Sequence, residues 1–352
     1  MADQVRQQAT SPAHTALEEQ ELEVREAVED LEYAVKVMGF KVVLFPSYIK
    51  RPIAAAVRRD PAMARYAFRL DTYGVDSDYD YDPLWRKCLE LKVVPTFHSP
   101  SDGMYMRNSI SNYCYNHIGH FAAAGDAIAK SLFLGGVTRR FPDVNFGFLE
   151  GGVGWACQLF ADLIEHWERR GKAGLEYMDP KKLDRPLLAQ LVDKYGYQDI
   201  AAELKRRDGW PNPGDDELDG GVSVHDDYAA CKITRKEDWI DLYARPFYFG
   251  CEADDRMNAV AFGKVNPFGA RINAIFSSDV GHFDVPDMRM VLPEAHELVE
   301  DGLITADDFR DFTFANAVRL WGTQNPDFFK GTAITRQAAE VLGHAPVRAA
   351  AE

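Results

Sequence analysis

Residues 131–152 read SLFLGGVTRRFPDVNFGFLEGG. An apolar helical segment starting near Asn116 stops at Gly135-Gly136, where glycine can take the left-handed conformation that ends a helix. A short apolar run, Val144–Leu149, then leads to a carboxylate, Glu150, and two more glycines. Bounded by turn residues and rich in Val and Phe, that run predicts a strand buried on both faces. Helix, glycine stop, buried strand and polar strand end together make one unit of an α/β fold.

The unit recurs in both directions. Upstream, Val24, Val28, Leu31, Val35 and Met38 fall at steps of three and four, forming one stripe that closes at Gly39. The run Phe40–Phe45 follows and ends on Pro46 and Ser47, and a helix over Pro83–Leu91 leads into a strand Val93–Phe97. Downstream, a helix over Asp238–Ala244 precedes Pro246–Cys251. A last strand, Ile272–Ser277, is followed by helices over Pro286–Val299 and Thr305–Trp321. Thr305 with Asp308 three residues on predicts a capping box. The alternation predicts five parallel strands with helices outside them. Residues 1–16 read as a polar tail, 17–325 as one domain and 326–352 as a C-terminal tail. The tyrosine-rich acidic stretch in 64–82 reads as a loop insertion. Residues 168–232, with the exposed loop GWPNPGDDELDGG at 209–221, read as an excursion over one end of the sheet.

Composition narrows the function. The 352 residues carry 40 basic and 55 acidic side chains, a net charge of −15. Such a surface repels phosphate backbones and anionic lipid, which argues against nucleic acid and membrane as partners. No apolar run reaches the roughly 18 residues that span a bilayer. The polar start, with Asp3, Glu18, Glu19 and Glu21, lacks the pattern of a secretory signal. Five dispersed cysteines without a CxxC pair predict reduced thiols and a cytoplasmic location. Nucleotide-binding glycine loops and a GxSxG elbow are missing from the sequence, so those chemistries have no support.

In parallel barrels, functional residues follow the C-terminal ends of strands. His98 does so in VVPTFHSPSDG; it can offer a nitrogen to a divalent metal or simply hydrogen-bond at a loop start. Glu150 can be a general base, a metal ligand, or a capping or salt-bridged acid. Asp279, in INAIFSSDVGHFD with His282 and Asp284 beyond it, can ligate a metal or accept a proton from water. Its other reading is an Asx-turn, with Asp284 available to cap the helix expected from Pro286. Glu252, Asp254 and Asp255 can bind a cation, face Arg256, or form a solvated loop. His117 and His120 stand three apart at a helix start and can share a face or cap it.

The order of these strand ends, with PTFHSP, GGVTRRFPDVNFGFLEGG, SSDVGHFD and FTFANAVRLWG over roughly residues 24–325, resembles the amidohydrolase-related family of aminocarboxymuconate-semialdehyde decarboxylase and γ-resorcylate decarboxylase. The resemblance implies a partial metal-dependent hydrolase-type TIM (β/α) barrel comprising strands four to eight. It implies metal ligation by His98 and Asp279 to a divalent ion, zinc by the usual ligand chemistry, with Glu150 and His282 as catalytic groups. Two departures accompany it: the His-x-His pair of the family's first strand is not in this sequence, and Glu150 stands where the decarboxylases have a histidine. Two functions are therefore expected: a metal-dependent hydrolase or non-oxidative decarboxylase of a small carboxylated or cyclic organic substrate, or a catalytically impaired barrel remnant acting in binding or assembly. Missing strands would leave Phe40–Phe45 and Ile272–Ser277 as open edges, which implies a homo-oligomer or a partner chain covering them.

Overall fold

The computed structural model describes residues 12–99, 105–171, 173–177, 184–206 and 226–343. Seven strands are present: β1 (Val43–Pro46), β2 (Ile49–Pro52), β3 (Phe68–Asp71), β4 (Pro95–His98), β5 (Phe146–Phe148), β6 (Phe247–Cys251) and β7 (Asn273–Phe276). Five of them form one parallel sheet in the order β1-β4-β5-β6-β7, so its polar strand ends all lie on one side. The architecture is mixed α/β, and among the described residues the sheet does not close on itself.

Register explains which face is the core. Phe45, Phe97, Phe148 and Phe249 stand opposite one another across four strands and therefore share a face. Their rings meet at 5.4–6.1 Å between neighbours. Trp85, Phe160 and Tyr243, from the surrounding helices, are buried with them. The neighbouring row, Leu44, Thr96, Gly147, Tyr248 and Asn273, occupies the other face. That face is thin at Gly147, where a methyl group would already touch Thr96 Cγ2 at 3.0 Å and Leu320 Cδ2 at 3.7 Å. Val94, Tyr248, Ile275 and Leu320 form a small cluster there, while Leu44 is 61% exposed.

Several expectations shift. The first helix runs Pro12–Lys36, so it starts inside the expected tail, and Gly39 follows at φ +76°. Val24 and Leu31 are buried, whereas Met38 lies beyond the helix and is exposed. The stretch 64–82 is not a loop throughout: β3 pairs antiparallel with β2. Its acidic character hides a folded network. Asp71 is buried and accepts from Tyr81 OH (2.7 Å), Ser77 Oγ (3.0 Å), the Tyr73 amide (3.0 Å) and Arg51 Nε (3.3 Å). A charge so placed survives burial because every acceptor is used.

The C-terminal stretch expected as a tail contains a helix, Thr335–Gly343, whose Ala338 and Val341 pack on Ala315 and Val318. Two small buried residues at i and i+3 were too weak a stripe to read in sequence. The capping box at Thr305 is formed, with Thr305 Oγ1 accepting from the Asp308 amide at 3.1 Å. The edge at β7 is not bare either, since Asn316 Nδ2 donates to Ala274 O at 2.9 Å and Phe276 packs on Phe312.

Contacts divide the chain into residues 1–162 with 230–352, which hold the sheet, and residues 163–229. The second unit contains helices Arg185–Tyr195 and Gln198–Arg206, the first capped by Asp184. The loop at 209–221 lies outside the described residues. Among the described helices none is long and apolar enough to cross a membrane.

Candidate active site

The C-terminal ends of the five strands carry the polar groups, as parallel topology requires. His98 is the last residue of β4, Glu150 lies two residues beyond β5, Glu252 directly follows β6, and Asp279 lies three beyond β7. The sheet thus brings together groups as far apart in sequence as 98 and 279.

The tightest contact joins adjacent strands. His98 Nε2 lies 2.5 Å from Glu150 Oε2, with both side chains largely shielded from water. That hydrogen bond raises the His98 pKa; burial opposes it, while the charges of Glu150 and Asp279 reinforce it. His98 and Asp279 therefore act on each other electrostatically at the same mouth. Asp279 Oδ2 also lies 3.1 Å from His282 Nδ1, and Asp284 Oδ1 lies 3.8 Å from the same nitrogen. The cap proposed for Asp284 is not made, because the helix begins later, at Val291, after an uncapped Met290.

Two of these acids sit on strained backbone. Glu150 has φ +61° and Asp279 φ +47°, in the left-handed region where a side chain costs energy. Such geometry persists only where the surroundings impose it, and it clusters at functional sites. The glycines after Glu150 have a specific use: Gly152 (φ +68°) admits the Asp255 carboxylate, whose Oδ2 would lie 2.6 Å from any Cβ there.

The three acids after β6 are not answered by Arg256, which pairs instead with Asp301 at 2.6 Å. Burial first, then the charges of Asp254, Glu150, Asp279 and Asp284, push the Glu252 carboxyl up to about 7. Burial likewise raises Asp255 and Asp279.

Glu252 borders two hollows. One, of about 930 Å³, also has Asp279 and Asp284 in its walls; among its described lining residues are eight carboxylates and neither lysine nor arginine. The other, of about 230 Å³, lies between Glu150, Glu252, Asp255, His117 and Phe121. His117 and His120 do not share a helix face. Gly119, at φ +72°, separates the helix Tyr113–His117 from His120–Leu134 and turns His120 into the protein. Phe121, which sequence reasoning passed over, supplies the aromatic wall: its ring lies 4.7 Å from His98 and 5.2 Å from His117. An aromatic one residue after a helix break carries no local signal of that role.

No family model and no curated protein matches the chain. Among solved structures, the chain is similar to an amidohydrolase from Mycobacterium avium subsp. paratuberculosis, at 16% identity and a TM-score of 0.40. The likeness covers 84% of this chain, which spans 55% of that protein's length.

Proposed function

We propose that the mouth of the sheet is a metal-dependent hydrolytic site for a small organic molecule. His98 and Asp279 hold a divalent cation, with zinc the ion best suited to the donors, and Glu150 and His282 move protons. The observation that carries this reading is the His98–Glu150 contact, made between two strand ends, with Asp279 in electrostatic range of both.

The donor set suits such an ion. Imidazole nitrogens with carboxylate oxygens are zinc's usual ligands. Asp279 also stands in a group with His282 and Asp284, each bringing one ligand atom within 4.8 Å of the others; His98 is not in that group and reaches the mouth from the Glu150 side. The chemistry such an ion would supply there, held by His98 and Asp279, is Lewis acidity toward the oxygen of the carbon under attack. Glu150 accepts a proton from the water that forms the new C–O bond, and the His98 ring orients its carboxylate. His282 returns a proton to the leaving group as its bond to carbon breaks. Hydrolysis is preferred to loss of carbon dioxide because Glu150 stands where the resembling decarboxylases have a histidine.

Zinc titration of the metal-stripped protein, read by elemental analysis, tests the site. Wild type takes up zinc, weakly enough to leave it substoichiometric after purification; Asp279→Asn and His98→Ala take up markedly less. Uptake unchanged in both variants would remove these residues from the site.

A second reading is favoured by one observation. Among the described residues no strand pairs with the outer edge of β1, and Met38, Phe40, Val42 and Leu44 are each at least 43% exposed around it. On this reading the chain is a binding or assembly subunit whose edge is covered by a second copy or a partner chain.

A further inference from the structure

We infer that the smaller hollow beside the His98–Glu150 pair takes an organic cation with an apolar body, of the amine, amidine or guanidine class. The inference rests on the proposed hydrolytic reading for the role of this mouth and names its substrate class. It departs from the carboxylated substrate that the family resemblance implies.

Charge gives the sign. Glu150, Glu252 and Asp255 line the hollow of about 230 Å³, and His98 offsets the first of them. Among the described residues no lysine or arginine pairs with Glu252 or Asp255. Arg256 is held by Asp301, while Arg107, beside Gly119 of the lining, donates to the Ile118 carbonyl at 3.3 Å and keeps its positive charge there. Asp255 uses one oxygen on the Met257 amide at 2.9 Å, a bond that leaves its negative charge in place. A carboxylate ligand entering here meets Glu252 and Asp255 with no lysine or arginine paired to either among the described residues, and the acidic walls of the neighbouring hollow add to the repulsion.

The aromatic wall is a separate observation, and it selects among cations. The negative faces of aromatic rings attract organic cations, which lose little hydration on entering. Phe121 borders the hollow, His117 stands against it, and Tyr113 stacks on His117 at 4.9 Å. A small hydrated metal ion gains little from such a wall. Ile118 lines the hollow and is 72% exposed, and Phe283, 80% exposed, meets Tyr113 at 6.3 Å. These surfaces suit the apolar part of a ligand whose charged head faces Glu252 and Asp255, where an amidinium can engage a carboxylate with two hydrogen bonds.

Benzamidine and benzoate have nearly the same shape and opposite charge. Calorimetric titration of the full chain with each, after removal of metal and near pH 8, tests the inference. Benzamidine binds, and benzoate binds at least about tenfold more weakly. Glu252→Gln weakens benzamidine about tenfold and Phe121→Leu about threefold, with thermal unfolding confirming that both variants are folded. Benzoate binding as tightly as benzamidine, or benzamidine affinity unchanged in both variants, would overturn it. Because metal is absent from this titration, the two proposals separate. A chain that prefers benzamidine but takes up no zinc refutes only the hydrolytic reading; one that takes up zinc but prefers benzoate refutes only the cation preference.

Discussion

The two ends of the parallel sheet are built from different chemistry. At the N-terminal end, neutral amides tie backbone together. Asn145 Nδ2 donates to Leu320 O (3.0 Å) and Thr323 Oγ1 (2.7 Å), while Gln324 accepts from the Asn145 amide and donates to Val93 O at 2.5 Å. Asn273 Nδ2 donates to Ala244 O and Phe247 O at 2.6 and 3.0 Å. At the C-terminal end, carboxylates crowd together, two on left-handed backbone and several pushed toward protonation. One end satisfies its polar groups; the other leaves them in tension that a ligand can relieve. In parallel α/β proteins the first arrangement serves stability and the second serves chemistry.

The contrast can be broken most sharply at Asn145, which is buried at 1% exposure. Asn145→Ala removes three side-chain hydrogen bonds, to Arg319 O, Leu320 O and Thr323 Oγ1, the first two accepted by buried or half-buried backbone, at an expected cost of about 2–3 kcal/mol. Urea unfolding measures that loss, and zinc uptake should be unchanged in the folded variant. Asp279→Asn should behave in the opposite way, losing zinc while keeping or gaining stability. Equal loss of stability in both variants would erase the distinction between the ends.

A smaller effect is expected from pH. Burial and then the neighbouring carboxylates push the Glu252 carboxyl from its ordinary value of 4.5 up to about 7. Between those values the folded state holds a proton that the unfolded state has released, so stability falls as pH rises through the window. His98 acts in the same direction. Its raised pKa gives stability that is complete below its ordinary value of 6.5 and lost as pH climbs through the folded value. The melting temperature of the metal-free protein should therefore drop from about pH 5 to pH 8, and Glu252→Gln should flatten the decline. A wild-type profile that rises over this range would contradict the crowded-carboxylate description.

The smallest change in fold stability is expected at the exposed edge. Leu44→Lys replaces a largely exposed side chain and should alter unfolding by no more than about 0.5 kcal/mol. If the β1 edge is covered by another chain, light scattering should nonetheless show a shift in association state. A wild-type chain that is monomeric at all concentrations removes the assembly reading and leaves the hydrolytic one.

Local sequence is enough to set the alternation of elements and the positions of the strand ends. Apolar runs such as Val144–Leu149 and glycines such as Gly39 and Gly136 act through neighbours a few residues away, so they are legible locally. His98, Glu150 and Asp279 were singled out for the same reason: each follows an apolar run. The β2–β3 pairing was not legible, because Asp71 looks solvated until Arg51, Ser77 and Tyr81 are brought to it. Nor was the break at Gly119, where a stripe continuous in sequence divides into two helices. Only the tertiary structure decided that His98 meets Glu150, 52 residues away, and that Phe121 walls the hollow beside them. Those contacts depend on register, which the row Phe45, Phe97, Phe148 and Phe249 sets through packing between distant strands. Register is a property of the whole sheet, and no local pattern carries it.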